Sequence, residues 1–163
     1  MEFPAGLIYA RPAVPLVALP ATRAIAALVG AGCLGVLVLA ASLRPDPTGI
    51  GTHTRLGFTA CSFEVRTGLP CITCGMTTSF AHFARGQLAA SLYTQPAAFV
   101  LAAVAAVAWW VALYVALTGR PLHRLLRVIR PRWWILWTLA LLMAAWGWKI
   151  YIHVMNLDGW RST

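Results

Sequence analysis

Charge is what this chain has least of. Only 10% of its 163 residues are charged, and just four are acidic. Soluble globular domains carry about 25% charged residues. With 60% apolar residues and a mean hydropathy of +0.74, a soluble globular surface is excluded, and one integral membrane domain is expected. No internal repeat is visible, which excludes a repeat array. No charged residue sits at mid-depth in any long apolar segment, which argues against a transport pathway. The shortage of acid leaves a net charge of +9, which invites a nucleic-acid reading. That reading fails because the basic residues are not interleaved with stacking aromatics in a soluble module. Membrane topology and anionic lipid headgroups account for the charge instead.

What is present in quantity is apolar length. A bilayer takes about 20 apolar residues in a helix. Three segments meet this: 24–43, 97–118 and 133–155. The first is too long for a signal-peptide core of roughly 7–15 residues, so a retained helix is expected. The third carries Lys149 and His153 near one end, where a long side chain is expected to snorkel to the interface. Most of the eight Trp flank span ends, as an aromatic belt does. In the first span, Gly30, Gly32 and Gly35 suggest close helix contact, with Cys33 as a small packing residue.

Arginine density sets the expected orientation. The 14 residues from Gly119 to Arg132 hold Arg120, Arg124, Arg127, Arg130 and Arg132. The 53 residues from Arg44 to Pro96 hold four arginines. The dense loop is expected inside, on the cytoplasmic face. The N-terminus then lies inside as well, and the 44–75 loop and the C-terminus lie outside.

That outer loop carries the chemistry. Cys61, Cys71 and Cys74 are spaced C-x9-C-x2-C. A helix is expected over 75–90, interfacial or re-entrant, with Met76, Phe80 and Phe83 on one face and Gly86 ending or bending it. A thiol just ahead of a helix feels the positive end of the helix dipole, which favours thiolate. The same spacing lets two sulfurs converge on a metal. A structural zinc ion takes four ligands, and His53, His82 or Glu64 are the candidates to complete three cysteines. A disulfide that pins the loop is the third possibility, since an outward-facing loop meets an oxidising compartment.

The stretch from Thr67 to Thr77 resembles a bacterial family of small membrane proteins of unknown function, with the signature TG-x-P-C-P-x-C-G-x-T-R. The chain matches at Thr67, Gly68, Pro70, Cys71, Cys74, Gly75 and Thr77, and later at Gly86 and Pro96. It departs at Ile72 (Pro in the family), Thr78 (Arg) and Gln95 (Asn). Without the Arg, no fixed cation is expected beside the thiols, which weakens a reactive-thiolate reading. The resemblance implies an architecture and a place in a bacterial inner (cytoplasmic) membrane, and no activity.

The expected fold is therefore all-α: three transmembrane helices, an outer cysteine loop and one short helix after the C-x-x-C. Three functions follow from the sequence. The leading one is a non-enzymatic accessory or scaffold subunit of a larger membrane complex, with other membrane subunits and the lipid bilayer as partners. The others are a metal-binding protein, with zinc as the candidate ion, and a thiol–disulfide oxidoreductase in which Cys71 and Cys74 exchange and Cys61 resolves.

Overall fold

The structure is a computed structural model that describes residues 20–120 and 131–159. Among these the chain is all helical, with three helices long and apolar enough to cross a membrane. They are α1 (Pro20–Ser42), α5 (Pro96–Thr118) and α6 (Pro131–Val154). Each is 23 or 24 residues, about 35 Å at 1.5 Å per residue, enough for the hydrocarbon core. Three short helices lie between α1 and α5: α2 (Ser62–Thr67), α3 (Met76–Ala84) and α4 (Leu88–Thr94). A 3-10 turn precedes them at Gly51–Leu56. The arginine cluster is largely outside this description. Arg124, Arg127 and Arg130 are not among the described residues, and Arg120 is exposed just past α5.

Local chemistry sets the boundaries of α5. Pro96 fits the first turn, where its missing N–H is not needed. Gly119 ends the helix in the left-handed conformation and returns its N–H to the Val115 carbonyl. Arg23 from α1 donates to the Ala116 carbonyl at 3.0 Å, placing a cation on the negative end of α5.

α1 and α5 run antiparallel along much of their length, and α3 packs against both. A Cβ on Gly30 would sit 3.1 Å from Ala112 Cβ, so this glycine permits the close crossing. Gly32 and Gly35 face open space, so only the first of the three expected small-residue contacts forms.

The helix expected over 75–90 is two helices, α3 and α4, broken at Gly86. The buried face of α3 is the polar and small one. Thr78, Ser79, Ala81 and His82 are buried, whereas Met76, Phe80 and Phe83 are only half-buried. Lipid is as apolar as leucine, so helices in membranes gain little by hiding apolar faces from it. They associate through small and hydroxyl side chains instead. Ser79 Oγ donates to the Ser91 carbonyl at 2.9 Å and lies 2.9 Å from Ser91 Oγ, which ties α3 to α4. Thr78 Oγ1 meets Thr52 Oγ1 at 2.8 Å, tying α3 to the 3-10 turn.

α6 attaches mainly by its last turns. Trp148 Nε1 donates to the Tyr93 carbonyl at 2.7 Å, and the Tyr93 hydroxyl donates to the Leu157 carbonyl at 2.9 Å. The C-terminal end of α6 is thus on the same side as the cysteine loop, the end of α1 and the start of α5.

Candidate functional site: a three-cysteine cluster

The loop before α3 is held by its backbone carbonyls. Trp146 Nε1 donates to the Pro70 carbonyl at 3.1 Å. Gln95 Nε2 donates to the Ile72 carbonyl at 3.0 Å. His153 Nε2 lies 3.2 Å from the Gly68 carbonyl. Alternate carbonyls of the segment are therefore pinned from α6 and from the start of α5. The loop gains a fixed shape without a strand or helix to supply one.

This shape brings the three loop cysteines together. The sulfurs of Cys61, Cys71 and Cys74 all lie within 4.8 Å of one another. Cys71 Sγ is 3.1 Å from Cys74 Sγ and 3.3 Å from Thr73 Oγ1. Cys74 is only 4% exposed, and Cys61 and Cys71 are half-buried. Cys33 sits apart, within α1. Burial pushes the Cys71 thiol up, but hydrogen bonds with Thr73, Cys74 and Cys61 outweigh it and bring it down to about 7. Cys74 is pushed well up, by burial first and then by the neighbouring Cys71. The proton thus leaves Cys71 before Cys74.

Neither candidate histidine joins the cluster. His53 Nδ1 donates to the Ile50 carbonyl at 3.2 Å, and His82 Nδ1 donates to Gln87 Oε1 at 2.6 Å. Among the described residues no imidazole or carboxylate completes the sulfur triad. Glu64, on α2, also stays outside it.

Lys149 does not snorkel. Its side chain is 0% exposed and forms an ion pair with Asp158 at 3.0 Å. The backbone closes over it from two sides. A Cβ on Gly75 would sit 3.4 Å from Lys149 Cε, and one on Gly49 would sit 3.4 Å from its Nζ. Gly75 also has φ +85° and would meet the Gly49 carbonyl at 2.8 Å, so only glycine fits this close approach. His153 shares Asp158 through Nδ1. The two ring nitrogens of His153 thus face Asp158 on one side and the Gly68 carbonyl on the other. A fixed cation therefore packs on the residue that follows Cys74, where the sequence suggested none. The signal was present: Lys149 is the chain's one lysine and lies inside an apolar span, a placement that marks a site by default.

Residues 61–109 match the model of a family described as protein of unknown function (DUF2752). The match takes in all three clustered cysteines, α3, α4 and the first half of α5, and reaches neither α1 nor α6. No curated protein and no solved structure matches the chain. The similarity therefore covers the cysteine cluster and carries no activity.

Proposed function

We propose that this chain is a multi-pass membrane protein that binds a transition-metal ion through Cys61, Cys71 and Cys74. The observation that carries the reading is the convergence of three sulfurs from two separate segments within 4.8 Å. Zinc–thiolate bonds of about 2.3 Å in tetrahedral geometry put sulfurs about 3.8 Å apart. The spacing of the cluster brackets that separation. Thiolate donors favour zinc and copper(I) over hard ions such as magnesium. The low-lying thiol of Cys71 supports the reading, because metal binding requires deprotonated sulfur.

The density of arginines between the second and third spans supports an extracytoplasmic cluster, and the resemblance to a bacterial family supports an inner membrane. The test is a cobalt(II) titration of the detergent-purified, reduced protein. A thiolate-to-cobalt absorption band saturating at one equivalent is expected. It should be lost in Cys71→Ser and Cys74→Ser and weakened in Cys61→Ser.

A second reading is favoured by one separation, the 3.1 Å between Cys71 and Cys74. In it, Cys71 thiolate attacks a substrate disulfide, forming a mixed disulfide and releasing one substrate thiolate. Cys74 then gives up its proton and displaces the second substrate thiolate. Two electrons pass to the substrate and a Cys71–Cys74 disulfide remains. A mixed disulfide trapped in Cys74→Ser is the outcome that would favour it.

An accessory role in a larger assembly rests on the spans alone. Little of α1, α5 or α6 is buried within the chain, and lipid satisfies such faces as well as a partner subunit does. The cysteine cluster, not the spans, therefore carries the assignment.

A further inference from the structure

We infer that the metal site keeps one coordination position open to an exchangeable ligand, and that the buried amide oxygen of Gln95 accepts a hydrogen bond from a water or other hydrogen-bearing ligand that occupies it. This rests on the metal reading and says which kind of metal site it is. Structural zinc sites are closed by four protein ligands, whereas reactive ones use three and leave the fourth place to water or substrate.

Three observations carry the inference. The first is the ligand count: three sulfurs converge, and among the described residues no nitrogen or carboxylate joins them. The histidines nearest in sequence have turned a ring nitrogen to other partners, His53 to Ile50 and His82 to Gln87. The second is access. Cys61 and Cys71 are half-buried, and Ile72 and Thr73 between the paired cysteines are exposed, so one side of the cluster meets solvent while Cys74 closes the other.

The third is an orphan. Gln95 is 1% exposed, and its Oε1 is buried with no hydrogen-bond partner. A buried acceptor left unpaired costs roughly 1–3 kcal/mol, so such atoms mark a ligand or water position. The Nε2 of the same amide donates to the carbonyl of Ile72, the residue that follows Cys71 in the C-x-x-C. The orphan oxygen therefore belongs to the group that braces the C-x-x-C turn. A metal-bound water or hydroxyl supplies the donor this oxygen lacks, and the amide then orients that ligand. The site would take a small metal ligand that carries a hydrogen to donate, such as water, hydroxide or an imidazole.

The experiment uses the full chain in detergent, loaded with cobalt(II), and adds imidazole or azide while visible and ultraviolet bands are followed. An open site gives a saturable shift of the visible bands, with the thiolate-to-cobalt band retained. Gln95→Leu also removes the brace on Ile72, so cobalt affinity is measured first; in the loaded variant, affinity for imidazole should fall by about tenfold, the scale of one hydrogen bond, while affinity for azide, which has no hydrogen to donate, should not. A cobalt-thiolate band that ignores both ligands would overturn the inference and leave the metal reading standing. Unchanged imidazole affinity in Gln95→Leu would remove the role of the amide. Should that variant fail to fold, the wild-type titration alone still decides whether the site is open. No thiolate band at all would sink the inference together with the metal reading.

Discussion

Removing Asp158 should release the cysteine loop. Lys149 is fully buried and pairs with Asp158 at 3.0 Å, and His153 leans on the same carboxylate. Breaking a buried pair by deleting one partner costs about 3–5 kcal/mol, because the remaining charge is left uncompensated. Here Asp158→Asn leaves Lys149 against the backbone of Gly49 and Gly75 with no anion. The cheapest relief is for the end of α6 to lift off the loop, which uncovers Cys74. A cost of that size raises the open population by roughly two to four orders of magnitude. The assay is the rate at which a thiol reagent labels Cys74 in chelator-treated protein, with the other cysteines replaced by serine. Cys74 is 4% exposed, so labelling reports opening. A Lys149→Met, Asp158→Asn double variant should return most of the protection, since an apolar side chain of similar length needs no partner. If Asp158→Asn labels no faster than its parent, the ion pair does not hold the loop and the argument is wrong.

Three further outcomes are expected. In metal-free protein, alkylation of Cys71 should rise as pH climbs through about 7, because thiolate is the reactive form. Cys74 should stay slow across the same range, and Thr73→Val should move the Cys71 midpoint upward; mass spectrometry of labelled peptides reads all three. Gly75→Ala should cut folded yield and lower the melting temperature in detergent, since it adds a left-handed strain of about 1–2 kcal/mol to a clash with the Gly49 carbonyl. Ser79→Val should destabilise the protein by about 1–3 kcal/mol, because the buried hydroxyl links α3 to Ser91 and its loss leaves the buried Ser91 hydroxyl without that partner; thermal unfolding in detergent checks it.

The parts of this molecule that the sequence revealed are those governed by one-dimensional rules. A span needs only length and apolarity, so all three long helices fall within a few residues of the expected ranges. Gly86 was legible as a break for the same kind of reason. The cysteine loop was not legible in detail. The 3-10 turn at Gly51–Leu56 and α2 at Ser62–Thr67 are six residues each, too short for any hydrophobic period to register. The buried face of α3 was not legible, because an amphipathic pattern shows which residues share a face and not which face meets the rest of the protein. Beside lipid the small and hydroxyl residues Thr78, Ser79 and Ala81 turn inward. Lys149 was misjudged because snorkelling assumes lipid around a span end. In this fold Gly49 and Gly75 close over it and Asp158 meets it. The sulfur triad was legible as a set, but the position of Cys61 beside the C-x-x-C depends on how the chain folds back between them. The same folding sends His53 and His82 to other partners.

The central claim is that Cys61, Cys71 and Cys74 hold a metal. The most direct test is elemental analysis and a free-thiol count on one sample, extracted from membranes without chelator or reductant. The account predicts one zinc-class ion per chain, absent from Cys71→Ser, with all four thiols recovered after denaturation in chelator. A folded, metal-free protein with two thiols consumed in a Cys71–Cys74 disulfide would contradict it.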